Sequence, residues 1–403
     1  MKQEKPYVLV MNGGSSSIKF AVYQVNDQPQ RLHGKVDRIG LPGTTLTFED
    51  LHRNRHYNRI IGDLDHQAAS NFLIDWLDHE IGLTSVKAVG HRVVNGGVHY
   101  SDPQSVTQEL LDALRHISTY APEHLPFEIA LIDLFRQRFP GLPQVACFDT
   151  AFHRDMPQVA KILPIPRRYQ AQGVERYGFH GLSYSFLMQE LARVDGNKTA
   201  NGRVILAHLG NGASLAAVCG GKCTDTSMGF TPAAGVPMST RSGDLDPGLV
   251  WYLAQTENMT ADQFHHMVNH ESGLLGVSET SSDLRDLLAC ETEDIRAAEA
   301  VLLFCYQIKK CIGAFAASLG GLDTLVFSGG IGENSAVIRA RICDGLNFLG
   351  IEIDEKCNVA NVNVISTKTS RIIVRVMHTD EEVMIAKSVC SVLGLAIKKG
   401  NET

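Results

Sequence analysis

Three times in this chain a run of apolar residues stops at a turn of glycine, serine or asparagine: Val8-Leu-Val-Met-Asn-Gly-Gly-Ser-Ser-Ser17, Val204-Ile-Leu-Ala-His-Leu-Gly-Asn-Gly-Ala-Ser214 and Leu325-Val-Phe-Ser-Gly-Gly-Ile-Gly-Glu-Asn334. A buried strand ending in glycines lets the backbone approach a ligand closely and turns N–H groups and hydroxyls toward one point, an arrangement suited to phosphate oxygens. Three such turns predict one nucleotide gripped from several sides, and so phosphoryl transfer.

With 403 residues the chain exceeds one simple core, and at ~150 residues per domain it predicts about two. A net charge of −7 argues against a nucleic-acid or anionic membrane surface, which would need clustered basic residues. The basic run 51–59 reads as a solvated hairpin. Nine cysteines without a paired framework predict reduced thiols. Cys219-Gly-Gly-Lys-Cys223 reads as a hairpin turn rather than half a metal site, and His265, His266 and His270 as surface or packing residues. The mixed-charge start 1–6 has no signal-peptide pattern, and no stretch approaches the ~20 uninterrupted apolar residues of a membrane span. The expectation is a cytoplasmic protein that binds neither nucleic acid nor membrane.

The opening reads as a β-meander. Helical spacing of Leu73, Trp76, Leu77 and Ile81 precedes a strand from Val86. Leu110, Leu111, Leu114 and Ile117 predict a helix entered through a Ser105/Gln108 capping box. Near residue 200 the pattern restarts, and 204–218 repeats the strand, turn, strand device of 8–22. Gly14-Ser15-Ser16 aligns with Gly212-Ala213-Ser214. This similarity predicts a duplicated α/β domain with the copies facing across a cleft. Ile295, Ala298, Leu302, Cys305, Ile308, Ile312 and Phe315 predict a long helix closed by Gly320 and Gly321. The expected domains are 1–153, completed by a C-terminal helix 386–403, and a nucleotide-binding domain 154–385.

Phosphoryl transfer needs charge neutralised on three equatorial oxygens and the reactants held in line. Arg92 follows a strand, and Arg241 sits in a loop of small residues; either could fork across phosphate or carboxylate oxygens, or serve a surface ion pair. His180 stands between glycines as an aimed imidazole donor, or as a histidine satisfied by a loop carbonyl. Asp149 ends an apolar strand where a carboxylate meets metal or attacking group, with a helix cap as the alternative. Glu381 is a second candidate for holding Mg²⁺. The P-loop and protein-kinase signatures are absent.

Together these segments resemble the acetate kinase family of short-chain carboxylate kinases. The matching stretches include 12–20, 91–94, 148–153, 176–181, 208–212, 225–229, 240–244, 271–276, 329–334 and 379–382, in family order. The resemblance implies a fold of two duplicated actin/Hsp70-like (ribonuclease H-like) α/β domains around a nucleotide cleft. It also implies a homodimer and reversible transfer of the ATP γ-phosphoryl group to acetate with Mg²⁺ (Mn²⁺ as a substitute), giving acetyl phosphate and ADP. By the same resemblance Asp149, His180 and Arg241 are catalytic, while Arg92, Val94, Phe179, Pro232 and Glu123 bind the acyl substrate. Ser16, Lys19, His208, Gly210, Asn211, Gly212, Asp283, Leu284, Arg285, Gly330, Ile331, Gly332 and Asn334 bind the nucleotide. Asn12 and Glu381 serve the metal.

Departures from the family pattern cluster: Asn95 for histidine, Glu123 for leucine, Leu125 for asparagine, Ala234 for glutamate, and by the resemblance the family's leucine at the Glu123 position helps line the acyl pocket. Leu182 and Tyr184 replace threonine and histidine after His180. A buried carboxylate at position 123 would repel an acetate anion. Propionate or another short acid is therefore an alternative substrate, and a nucleotide-gated binding protein of the same fold a distant one. No exposed apolar stripe marks a dimer surface in the sequence.

Overall fold

The computed structural model describes residues 6–14, 16–25 and 30–395. The mixed-charge residues 1–5, Ser15 of the first turn and positions 396–403 of the expected C-terminal helix lie outside them. The chain divides into two units: residues up to Ala151 together with those from Asp380 onward, and Phe152–Thr379.

In the first unit the meander is β1 (Tyr7–Gly13), β2 (Ser17–Gln24), β3 (Gln30–Asp37), β4 (Thr44–Asp50) and β5 (Arg55–Gly62). It is followed by β6 (Val86–Val93), β7 (Gln104–Ser105) and β8 (Gln144–Phe148). The sheet order is β5-β4-β3-β2-β1-β6-β8-β7, with β1, β6 and β8 parallel. Alternation along β1 sends Leu9 and Met11 to one face and Val8 and Val10 to the other. Leu9 and Met11 join Leu73, Ile74 and Leu77 of the helix His66–Ile81 and Leu131 and Phe135 of Leu125–Arg138 in one core. On β6, Val89 shares that core and Gly90 faces the other way. A Cβ on Gly90 would stand 2.5 Å from Ile385 and 2.6 Å from Val389, so glycine is what admits the helix Glu381–Leu393 against this sheet.

The second unit comprises β9 (Arg203–Leu209), β10 (Ala213–Cys219), β11 (Lys222–Thr226), β12 (Thr324–Ser328) and β13 (Ile373–Val376), in the order β11-β10-β9-β12-β13. An antiparallel three-strand meander followed by two parallel strands repeats the β3-β2-β1-β6-β8 portion of the first sheet. Duplication is thus a property of topology as well as of the turns. Tyr184, Leu187, Met188 and Leu191 of the helix Gly181–Asp195 pack on Val204, Leu206, Ala216 and Val218. Cys219 to Cys223 is the β10–β11 hairpin turn, with Gly220 and Gly221 at φ 60° and 75°. No disulfide joins the cysteines among the described residues.

Two local expectations shift. Thr107, not Ser105, caps the helix Gln108–His116, its hydroxyl accepting from the Leu110 N–H. The long helix is Ile295–Ser318, and by length and hydropathy it passes for a membrane span. It carries Arg296, Glu299, Lys309 and Lys310. Its buried positions are Ala297, Ala300, Val301, Phe304, Cys305, Ile308, Ile312, Phe315 and Ala316, while Ile295 and Leu302 point outward.

Candidate active site

In the first unit the register of parallel β6 and β8 sets Arg92 opposite Cys147 and Val93 opposite Phe148. The next residue, Asp149, donates its N–H to the Val93 carbonyl at 3.0 Å. Its Oδ2 accepts from Arg92 Nε at 2.9 Å and also from Nη2. Arg92 Nη1 reaches Glu128 Oε1 at 3.5 Å, and the Val94 N–H donates to Glu128 Oε2 at 2.9 Å. Glu128 lies on the buried side of Leu125–Arg138 and was not singled out by sequence. Burial pushes its carboxyl up to about 8, against the opposing pull of Arg92 and the Val94 N–H. Burial also works against a charged Arg92, but the carboxylates of Asp149, Glu128 and Glu381 outweigh it and keep the guanidinium protonated. The arginine expected to meet a substrate carboxylate is therefore held by acidic groups of the protein itself.

Glu381 is the first residue of the C-terminal helix; burial, then the Asp149 carboxylate, raises it to about 7. Asp149 Oδ1 is buried with no hydrogen-bond partner among the described residues. An orphaned carboxylate oxygen beside a second acid whose ionised form is disfavoured is what a divalent cation relieves. Mg²⁺ commonly takes only one or two carboxylates and keeps several waters, so the donor set fits. Asn12 pairs with Lys19 across β1 and β2, and the Lys19 charge acts on Glu381. The Ser16 carbonyl accepts from the Ile39 N–H at 2.9 Å. Val94 is buried. Glu123 is only partly buried. Asn95 is fully buried, its Oδ1 accepting from the Gly97 N–H at 2.8 Å.

In the second unit His180 has left-handed backbone, φ 58° and ψ 24°, at the entrance to Gly181–Asp195. The strained residue is tied on both sides. His153 Nε2 donates to the Phe179 carbonyl at 2.9 Å, and a Cβ on Gly178 (φ 73°) would fall 2.7 Å from the His153 ring. Burial holds His153 down at about 4, so it stays neutral. His180 Nδ1 lies 2.8 Å from Ser214 Oγ, and its ring stacks on His208 at 4.4 Å. His208 Nδ1 in turn lies 2.8 Å from Ser183 Oγ.

His208 and Ser214 are paired across β9 and β10, with Gly210, Asn211 and Gly212 as the turn between them. The Gly210 N–H donates to the Gly212 carbonyl at 3.0 Å, and the Asn211 carbonyl accepts from the Ser239 N–H at 3.2 Å. A Cβ on Gly212 would stand 3.2 Å from His180 Nε2 and 3.3 Å from Arg241 Nη2, so the missing side chain leaves room where these two nitrogens converge. Arg241 is braced by Nη1 donating to the Pro232 carbonyl at 2.9 Å.

The third turn is the short helix Gly329–Asn334. A Cβ on Gly329 (φ 76°) would meet the Leu209 carbonyl at 2.6 Å, which brings this turn against the end of β9. Gly330 has open space around its Cβ position, and its carbonyl accepts from Asn334 Nδ2 at 2.9 Å. Ile331 is half-buried and Gly332 buried. Two groups that sequence did not mark hold this loop. Glu333 Oε1 accepts from the Gly329 N–H at 2.9 Å. The fully buried Arg339 donates through Nη1 to the Gly332 and Glu333 carbonyls, both at 2.9 Å. Of the residues expected around adenosine, Asp283 caps the helix Leu284–Cys290 and pairs with Arg285, whose side chain is exposed. Leu284 is buried.

A duplicated α/β fold whose strand ends present a carboxylate–guanidinium cluster in one unit and converging nitrogen donors in the other has the equipment of a phosphotransferase. A family model described as the acetokinase family matches residues 7–387. The chain is 43% identical over 390 residues to a propionate kinase of Citrobacter rodentium, covering 95% of this chain and 96% of that protein. It is 42% identical over 388 residues to an acetate kinase of Rhodopseudomonas palustris, covering 95% and 97%. Among solved structures, a propionate kinase from Francisella tularensis superposes with TM-score 0.89 at 34% identity, over 95% of this chain and 98% of that one. The acetate kinase of Porphyromonas gingivalis gives 0.85 at 36%, over 96% and 100%. The protein is a phosphotransferase that acts on a carboxyl group. It belongs to the acetokinase family.

Proposed function

We propose that the protein is an acetate kinase that transfers the γ-phosphoryl group of ATP reversibly to acetate, giving acetyl phosphate and ADP. A carboxylate oxygen attacks phosphorus in line, and the bond to the ADP oxygen breaks as the new P–O bond forms. The nucleophile arrives already ionised, so no general base is needed. The observation that carries the reading is the convergence of His180 Nε2 and Arg241 Nη2 over Gly212, two donors suited to equatorial phosphoryl oxygens. Asn211 and the amides of the glycine turns complete the phosphate grip in this reading, with Asp283, Leu284 and Arg285 toward the adenosine. Arg92, Val94, Phe179 and Pro232 receive the acyl group. Asp149, Glu381 and Asn12 would hold Mg²⁺, which supplies charge neutralisation at the phosphates when bound.

Propionate is the second reading, favoured by the 43% identity to a propionate kinase. Trapping the acyl phosphate as its hydroxamate with Mg²⁺-ATP and acetate, propionate or butyrate tests both. Turnover led by acetate is expected. A maximum at propionate selects the second reading, and no product from any acid overturns the function.

A homodimer belongs to the same proposal. The helix Gly248–Thr256 is strongly apolar yet has no buried residue; Val250, Trp251 and Tyr252 are 45%, 70% and 56% exposed, a patch suited to an isologous contact. Light scattering should give a dimer and Trp251→Glu a monomer.

A further inference from the structure

We propose that Tyr184 is a positioning residue that decides which ring nitrogen of His180 carries the proton, acting through Ser214. The inference rests on the reading that His180 faces the transferred phosphoryl group, and it gives a role to the tyrosine standing where the family pattern has histidine. Tyr184 and Ser214 are both fully buried. Tyr184 Oη lies 2.5 Å from Ser214 Oγ, and Ser214 Oγ lies 2.8 Å from His180 Nδ1. Ser214 has a single hydroxyl proton to share between these two neighbours.

Tyr184 and His180 Nδ1–H could both donate to Ser214, but the Ser214 proton would then have no acceptor among the described residues, so two arrangements remain. Either Tyr184 donates to Ser214 and Ser214 donates to His180 Nδ1, or His180 Nδ1–H donates to Ser214 and Ser214 donates to Tyr184. In the second, the phenol proton needs another acceptor. Among the described residues Ser214 Oγ is the one side-chain partner of the phenol, so that proton would be buried and unsatisfied. The backbone of His208 also hydrogen-bonds the phenol oxygen in the sense that favours its ionised form, and therefore enters as a donor. Both facts select the first arrangement. His180 Nδ1 is then an acceptor and Nε2 carries the hydrogen. Nε2 is the nitrogen 3.2 Å from the missing Gly212 Cβ, beside Arg241 Nη2. The opposite tautomer would turn a lone pair toward phosphoryl oxygens and repel them.

The decisive measurement is long-range ¹H–¹⁵N NMR of the full chain with labelled histidine, the His180 signals being assigned by their loss in His180→Gln. The wild type is expected to show Nε2 protonated and Nδ1 with the shift of an unprotonated ring nitrogen. Tyr184→Phe should populate the Nδ1–H form and lower kcat roughly tenfold while KM for acetate and ATP stays within about twofold. Ser214→Ala should do the same, and the double variant should be no worse than either single one. A wild type protonated at Nδ1 overturns the proposal, as does an unchanged tautomer in folded Tyr184→Phe. Should that variant not fold, the wild-type spectrum alone still decides. A chain that phosphorylates no acid removes the proposed function but leaves the tautomer result standing, so the two failures are separable.

Discussion

Arg92 in the first unit and His180 in the second are both aimed by buried partners, but by opposite means. Arg92 is held by the carboxylate of Asp149 and the carboxyl group of Glu128. His180 is held by the Ser214 hydroxyl, a stacked ring and a backbone kinked into the left-handed region. A charge-dense cluster is strong but costly to bury, and its acids drift toward their neutral forms. A neutral network fixes direction without drawing in counter-charge. Under the proposed function, the first unit would answer for metal and substrate charge and the second for donors to phosphoryl oxygens.

The comparison is broken most severely at Arg241. Arg241→Ala should lower kcat about a thousandfold with circular dichroism unchanged; near wild-type turnover would remove the second unit's assigned role. Asp149→Asn keeps shape but loses charge. It should cost about a hundredfold in kcat and raise the Mg²⁺ concentration needed for half-maximal rate, whereas an unchanged metal requirement would take Asp149 out of the cation site.

Smaller effects sharpen the contrast through stability. Glu128→Ala strands the Val94 N–H and half of the Arg92 fork, and should destabilise by about 3 kcal/mol in urea melts. Because the Glu128 carboxyl sits at about 8 rather than its ordinary 4.5, the folded state binds the extra proton, and stability is lost as pH rises through that window. Glu128→Gln should flatten this slope. The buried histidines titrate the other way: His91 and His153 are pushed by burial from 6.5 to about 4. Each contributes stability that is lost as pH falls between those values, roughly 3 kcal/mol apiece. His153→Gln should reduce the acid-side loss without altering the alkaline side.

Much of this was legible from the sequence where the physics is local. Cys219-Gly-Gly-Lys-Cys223 could be read as a hairpin because both glycines adopt the positive φ such a turn requires. The duplicated strand and turn device foreshadowed two sheets of matching order. Local rules failed where tertiary context decides. The long helix was recognisable, but its inward stripe is rotated away from Ile295 and Leu302, since the sheet beneath it rather than its own period chooses the face. Glu128 was hidden because a glutamate among apolar helix positions acquires meaning only when Arg92 and Val94 arrive from another strand. Tyr184 stood out as a departure from a pattern; its partner Ser214 comes from a strand thirty positions onward. In the sequence the apolar helix Gly248–Thr256 looks like a core helix, because hydrophobic residues are expected inside.

The helix Glu381–Leu393, seated against Gly90, has a consequence for the order of events on the ribosome. The second unit is one uninterrupted segment, Phe152–Thr379, and all of it emerges before the residues that complete the unit begun first. Nascent β1 and β6 must therefore wait with an apolar face uncovered, a hazard chaperones guard against. The same late segment brings Glu381, so a prematurely terminated product would lack both the cover and the second carboxylate proposed for the metal.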